Sequence, residues 1–409
     1  MACNFKPTLR GVNKDDTSMK IGMVLAGMPT YSETFLLNKV RVLERTGHEV
    51  HLFVASGPLQ GGPFRRLHKG YTLGLHGVER GLSLMLAVFR LVRHAQRTAK
   101  LFRLNRQDGM DTRRNLISLL NAAHIIGHRL DWIHFAFATT ALSLENIGRA
   151  TGARMAVSIR GFDISLFPLK NPGCYELLWK RIDRLHYISQ ALYRRALADG
   201  LPTALPAYLI EPAADAGLRE RLPKTPARQD GGFRLLTVGR LTWKKGYVQT
   251  LTALAALKSA GLGFTYRIIG EGEALEEVLY MRRALGLESE VNLEGRKSHT
   301  ETLAIMAECD LYIQYSVQEG YCNAVVEAQL LGRPCIVSDA EGLPENVVDG
   351  VTGWVVPFND PERLRAKMEE VLSLEPEERA RIGMTASDRI AAGYSLEAQL
   401  AKFIRFYED

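Results

Sequence analysis

Residues Glu319 to Asp339, EGYCNAVVEAQLLGRPCIVSD, constrain the fold more than any other stretch. Asn323 to Leu331 reads as one helix. Gly332-Arg333-Pro334 stops it, because glycine caps helix ends and proline cannot continue one. Cys335 to Ser338 is a short apolar run bounded by Pro and Asp, which predicts a buried strand. Helix, glycine stop and strand make half of an α/β unit. Glu319 and Glu327 punctuate it with seven residues between them. A wholly helical span of that length would rise about 12 Å, comparable to a nucleotide sugar from ribose to hexose. Between the acids lie the backbone N–H groups of Tyr321, Cys322, Asn323 and Ala324. A helix N-terminus of this kind suits a diphosphate. The competing reading is an amphipathic helix with two solvated glutamates.

The same pattern opens both halves. Lys20 to Ala26 reads as a strand, Glu33 to Thr46 as a helix with Ser32 as its N-cap, and Glu49 to Val54 as the next strand. A β-α-β start predicts a parallel sheet. Phe233 to Val238 is the first strand of the second half, followed by Gly239 to Gly246 and a helix from Tyr247 to Ser259. Arg240 and Lys245 are cations on a strand-to-helix loop, where Arg binds a phosphate bidentately and Lys as a point charge. The fold class is therefore α/β. There is no GxGxxG, so the dinucleotide fingerprint is absent.

In context these residues resemble a known family. Glu319-x7-Glu327 continues through Gly332-Arg333-Pro334, Asp339, Gly342, Glu345 and Asp349-Gly350-Val351-Thr352-Gly353 in order and spacing. The stretch resembles the retaining GT-B glycosyltransferases of family four (glycosyl transferases group 1). Pro29-Thr30-Tyr31-Ser32-Glu33-Thr34-Phe35 and the string around His134 are similar to bacterial polysaccharide-assembly members. The resemblance is strong over about 233–360 and weaker over 20–200. It implies two Rossmann-like domains with parallel sheets facing a central cleft and a C-terminal helix crossing back. The expected division is a disordered lead-in at 1–18, an acceptor domain at 19–207, a nucleotide-sugar domain at 208–390 and the returning helix at 391–409.

The resemblance also implies roles. Arg240 and Lys245 contact the donor phosphates and help the nucleotide leave. Glu319 holds the donor sugar and Glu327 the ribose hydroxyls. Gly270 and Gly272 form a turn near the nucleotide, and Arg296 approaches the base. His134, Asp163 and Arg160 belong to loops at the cleft, with Ser32, Glu33 and Thr34 on the first loop facing the acceptor. Asp163 either bonds in the cleft or caps the next turn, and His134 is either catalytic or structural. At Arg160 the chain departs from the family, which commonly has His there; an arginine could pair with a phosphate instead. No DxD string lies near the site, and fixed cations are available, so no metal and no cofactor are expected. The implied activity is retaining transfer from a nucleoside-diphosphate sugar to a hydroxyl of a glycan or lipid-linked acceptor. The alternatives are a nucleotide-sugar epimerase on the same fold and a non-catalytic nucleotide-sugar-binding protein.

Charge divides the chain. Residues 1–200 hold 29 Lys+Arg against 14 Asp+Glu, a net of +15, and residues 201–409 hold 23 against 31, a net of −8. Such asymmetry fits two domains with different partners. Residues 65–106 carry 10 Lys and Arg and one acid, Glu79, on a helical pattern from Gly77 to Arg106. Apolar residues recur there at Val78, Leu82, Met85, Phe89 and Val92, with Arg90, Arg93, Arg97 and Lys100 on another stripe. This segment predicts peripheral contact with an anionic membrane, against the alternative of a solvated face over a buried one. Nucleic acid is not an expected partner. The 5 cysteines form no CxxC and signal neither disulfides nor zinc, which fits a reducing cytoplasm. Cys322, at a helix start where a thiol pKa can fall, reads as a small helix residue. The N-terminus lacks an apolar signal-peptide core. The expected location is cytoplasmic, peripheral to the inner face of the membrane.

Overall fold

A computed structural model describes residues 18–28, 34–55, 66–71, 77–215, 217–218 and 232–408. Ser32, Glu33, the lead-in at 1–17, Arg65 and residues 72–76 lie outside them. Thr34 begins the helix Thr34–Arg45.

The described residues form two parallel sheets. The first has strands β1 (Lys20–Leu25), β2 (Glu49–Val54), β3 (Leu67–Lys69), β4 (Trp132–Phe135), β5 (Arg154–Ile159), β6 (Arg184–Tyr187) and β7 (Ala207–Leu209), in the order β3-β2-β1-β4-β5-β6-β7. The second has β8 (Phe233–Val238), β9 (Phe264–Ile269), β10 (Val291–Leu293), β11 (Leu311–Gln314), β12 (Cys335–Ser338) and β13 (Trp354–Val356), in the order β10-β9-β8-β11-β12-β13. Every pair is parallel, with Ile21 opposite both Val50 and Trp132. The inner strands are apolar at consecutive positions because helices cover both faces: all four residues of β4, β6, β11 and β12 are buried. This is the expected α/β architecture of two Rossmann-like domains.

The chain crosses between domains twice. It passes from β7 to β8, and it returns after the helix Pro376–Gly393 into the helix Leu396–Glu408. The two crossings are bonded together: the Ala214 N–H donates to the Tyr394 carbonyl at 2.8 Å, and Gln399 Nε2 donates to the Glu211 carbonyl at 2.8 Å. The returning helix lies on the first sheet. Phe403, Phe406 and Tyr407 are buried in one cluster with Ile21, Leu52 and Trp132. Trp132 Nε1 donates to the Tyr407 carbonyl at 3.1 Å.

The helical pattern 77–106 is two helices, Gly77–Arg93 and Ala95–Gln107, broken at His94. Among the described residues no helix is long and apolar enough to cross a membrane.

Candidate active site

The second sheet reverses its order between β8 and β11. Adjacent strands whose chains leave in opposite directions open a crevice at their C-terminal ends, the usual ligand site of such sheets. The loop after β8 carries Arg240 and Lys245, and the loop after β11 carries Glu319. Lys245 Nζ and Glu319 Oε2 form an ion pair across this crevice, both side chains largely buried. The loops are locked against each other. Gly246 adopts φ 63°, and a Cβ there would lie 2.0 Å from the Tyr315 carbonyl oxygen. The Val317 N–H donates to the Lys244 carbonyl at 2.7 Å.

Burial works against the charge on Lys245, but Glu319 outweighs it and the pKa rises. Lys244 is held below the usual lysine range, by burial first and then by Arg240. Arg240 itself is exposed. Lys244 and Arg240 stand near the Lys245–Glu319 pair, beside the start of the helix Asn323–Leu330. A cluster with surplus positive charge next to a helix N-terminus is arranged for a multivalent anion.

The helix start itself differs from expectation in two ways. The Cys322 N–H is not available: it donates to Asn346 Oδ1 at 3.2 Å. The Cys322 thiol is not activated either, since burial pushes its pKa up to about 11. Tyr321 packs its ring into the core of the first domain. Asn323 is exposed and Ala324 half-buried on the first turn.

Gly270 and Gly272 serve the loop rather than facing outward. A Cβ at Gly270 would lie 1.9 Å from the Gly239 carbonyl oxygen, and one at Gly272 would lie 2.2 Å from that of Leu241. Only glycine lets the loop after β9 press so closely on Gly239-Arg240-Leu241, and the Leu241 N–H donates to the Glu271 carbonyl at 2.9 Å. The pair thus fixes the base of Arg240. Arg296 is exposed next to Gly295, whose carbonyl accepts from the Gly270 N–H at 2.9 Å.

Glu327 stands one helix turn further on, paired to His299 Nε2 at 2.8 Å. The Glu327 carboxylate raises the His299 pKa through that bond. Sequence reasoning missed His299. The capping box Ser298–Glu301, which sets the helix start, was the available signal, but not for the pairing across 28 residues.

The first domain meets this crevice with the loops after β5 and β6. A Cβ on Gly161 would lie 3.3 Å from the Gly320 N–H nitrogen. Glu345 accepts from the Gln190 and Ala191 N–H groups, both at 2.8 Å. Lys244 Nζ lies 5.8 Å from the centre of the Phe162 ring. Arg160, half-buried on the same loop, stands 5.6 Å from the Phe137 ring and lines a small cavity with Lys39, His186 and Gln399.

Two residues assigned to the cleft lie elsewhere. His134 is fully buried, bonded to Tyr407 Oη at 2.6 Å and Ser158 Oγ at 2.8 Å. Its strand position turns it toward the returning helix, so it ties β4 to that helix. Asp163 is also fully buried, accepting from Thr139 Oγ1 at 3.0 Å and the Arg160 N–H at 3.1 Å. It holds the Arg160 loop from behind, and burial raises its pKa to about 6. Its carboxylate is taken up by Thr139 and by the backbone of Arg160.

The helix Gly77–Arg93 turns its apolar stripe outward. Val78 is 88%, Phe89 60% and Val92 68% exposed, with Leu82 and Met85 also exposed. Only Ala87 and Leu91 are buried. Arg97 leaves the basic stripe: its Nη1 donates to the Ile126 and His128 carbonyls at 2.9 and 2.8 Å.

Comparison with known proteins agrees with this geometry. Residues 219–389 match the family model for glycosyl transferases group 1. The chain is 27% identical over 412 residues to the putative colanic acid biosynthesis glycosyltransferase WcaL of Salmonella typhimurium, spanning 95% of this chain and 100% of that protein. It is 29% identical over 373 residues to the amylovoran biosynthesis glycosyltransferase AmsK of Erwinia amylovora, spanning 85% and 89%. Among solved structures, Anabaena HepE in complex with UDP superposes with a TM-score of 0.70 at 16% identity, over 95% of this chain and 99% of that one. Sucrose-phosphate synthase of Thermosynechococcus elongatus gives 0.71 at 16% identity, over 95% and 98%. The structural likeness shows a shared fold.

Proposed function

From the premise that residues 219–389 match the family model for glycosyl transferases group 1, we propose that the chain is a retaining glycosyltransferase of polysaccharide assembly. It moves a sugar from a nucleoside-diphosphate donor to a hydroxyl of a glycan or lipid-linked acceptor. The observation that carries the reading is the Lys245–Glu319 pair beside Arg240, placed where the second sheet reverses order.

In this reading the donor diphosphate lies against Arg240, Lys245 and the first turn of the helix Asn323–Leu330. Glu319 takes hydroxyls of the transferred sugar and Glu327 those of the ribose, displacing His299. As the bond from the anomeric carbon to the diphosphate oxygen breaks, charge grows on that oxygen, and the two cations stabilise it. The acceptor oxygen bonds to the anomeric carbon on the same face. The departing phosphate takes the acceptor proton, so no protein base is required and no metal or cofactor enters.

An epimerase would need acid–base groups on both sides of the sugar. Among the described residues His134 and Asp163 are fully buried, which does not favour that reading. The exposed apolar face of Gly77–Arg93, flanked by Arg90 and Arg93, supports peripheral contact with an anionic membrane and hence a lipid-linked acceptor.

The test is a thermal-shift series with UDP, GDP and ADP and their common sugars, on wild type and Glu327→Ala. One nucleotide raising the melting temperature, with the effect lost in the variant, is expected. No shift from any of them, with or without an oligosaccharide acceptor, would overturn the reading.

A further inference from the structure

The open edge of the first sheet carries histidines that the donor chemistry does not use. His51 is the third residue of β2, His68 the middle residue of β3, and His128 lies between the helix Thr112–Ala122 and β4. One ring nitrogen from each lies within 4.8 Å of the other two. His51 Nδ1 and His68 Nε2 are 3.0 Å apart, and the His68 and His128 ring centres 4.3 Å apart. The cluster lies toward the N-terminal ends of β2 and β4, away from the strand ends that face the crevice.

The surroundings of the cluster have a direction. His51 Nε2 lies 2.8 Å from Glu49 Oε1, and Glu49 is paired to Arg66 at 3.2 Å. A carboxylate on one ring nitrogen fixes the proton there and leaves the lone pair on the other, which for His51 is Nδ1, inside the cluster. Metal-binding imidazoles are held in this way. His124 adds a second, independent observation. It is 5% exposed, makes no hydrogen bond to another side chain, and its ring packs edge-to-face with Phe53, on which His51 and His68 stack. Ordinary packing of aromatic rings accounts for the stacking, but not for so many imidazole lone pairs gathered with one proton-fixing acid.

We propose that His51, His68 and His128 bind one divalent transition-metal ion of the zinc class, structural in role and separate from the donor site. Three imidazoles without thiolate or extra carboxylate select zinc, cobalt, nickel or copper over magnesium and calcium. Zinc–imidazole bonds of about 2.0–2.1 Å put tetrahedral ligand nitrogens about 3.4 Å apart. Small ring rotations therefore close the site, with solvent in the fourth position. The ion would fasten β3, a strand of three residues that among the described residues has a neighbour on one side only, to β2 and to the turn before β4.

The experiment uses the tag-free full chain, stripped with chelator and titrated with Co2+ and then Zn2+. One Co2+ per chain, with the strong visible absorption of a four-coordinate site that Zn2+ abolishes, is expected. Zn2+ should also raise the melting temperature by several degrees. His68→Ala and, separately, His128→Gln should lose both responses while keeping the wild-type circular dichroism of the stripped chain. Wild type with no cobalt absorption and no zinc-dependent shift overturns the proposal, as does a folded variant that binds the ion like wild type.

Discussion

The carboxylate of Glu345, in the second domain, caps the helix that begins at Gln190 in the first: its two oxygens accept from the Gln190 and Ala191 N–H groups at 2.8 Å each. The bonds join residues about 155 positions apart, beside the contact of Gly161 with Gly320. An acid at a helix N-terminus is favourable by about 0.5–2 kcal/mol. Here that energy favours the closed arrangement of the two domains. Glu345→Ala should lower the melting temperature by a few degrees and raise KM for the acceptor more than that for the donor. Calorimetry and steady-state kinetics check both, and an unchanged KM pair would remove the closure role.

Lys245→Ala removes the cation paired with Glu319, and Arg240→Ala its exposed neighbour. Each should lower kcat by about 10²–10³, the usual cost of one group that stabilises transition-state charge. Transfer measured at saturating donor is the readout. A change confined to KM would mean that these cations only bind the ground state.

Asp163 titrates in an unusual range. Burial raises its folded pKa to about 6, from an ordinary value of 3.8. The group therefore contributes stability that is fully present below about pH 3.8 and lost as pH rises through about 6, roughly 3 kcal/mol in all. In Asp163→Asn that part of the slope should vanish. Melting temperatures between pH 4 and 6 should fall less steeply with rising pH in the variant than in wild type.

The outward stripe of Gly77–Arg93 should carry membrane contact. Flotation with vesicles containing anionic lipid is expected to recover the wild-type chain and to lose Phe89→Asp and the pair Arg90→Glu/Arg93→Glu. Lowered recovery at high salt would identify the charged part of the attraction. Equal flotation of all three proteins removes membrane contact from the proposal.

Local chemistry made much of this readable in the sequence. The run Phe233–Val238 and the run Cys335–Ser338 are strands with those bounds, and Gly332-Arg333-Pro334 ends the helix between them. Such features follow from apolar runs and from glycine and proline. Relations made by tertiary packing were not readable. An apolar stripe at helical spacing suits a buried face as well as a membrane face, and only the packing leaves Val78 and Phe89 exposed. His134 on a strand near the sheet's C-terminal edge suits a cleft as well as a core until Tyr407 covers it. Gly270 and Gly272 read as a ligand turn, and only the nearness of Gly239 and Leu241 reveals them as spacers. His51, His68 and His128 lie 17 and 60 residues apart, at spacings that fit no short metal pattern.

The helix Leu396–Glu408 gives the first domain a dependence on distant chain. Phe403, Phe406 and Tyr407 close the face formed by Ile21, Leu52 and Trp132, and each large apolar side chain buried there contributes about 1.5–3 kcal/mol. During synthesis the first sheet must wait, with that face uncovered, until nearly 200 further residues beyond β7 have left the ribosome. The order of manufacture thus makes the second domain a prerequisite for finishing the first. A chain cut before Leu396 would be left with a sticky first domain, prone to self-association even with Arg240, Lys245 and Glu319 in place.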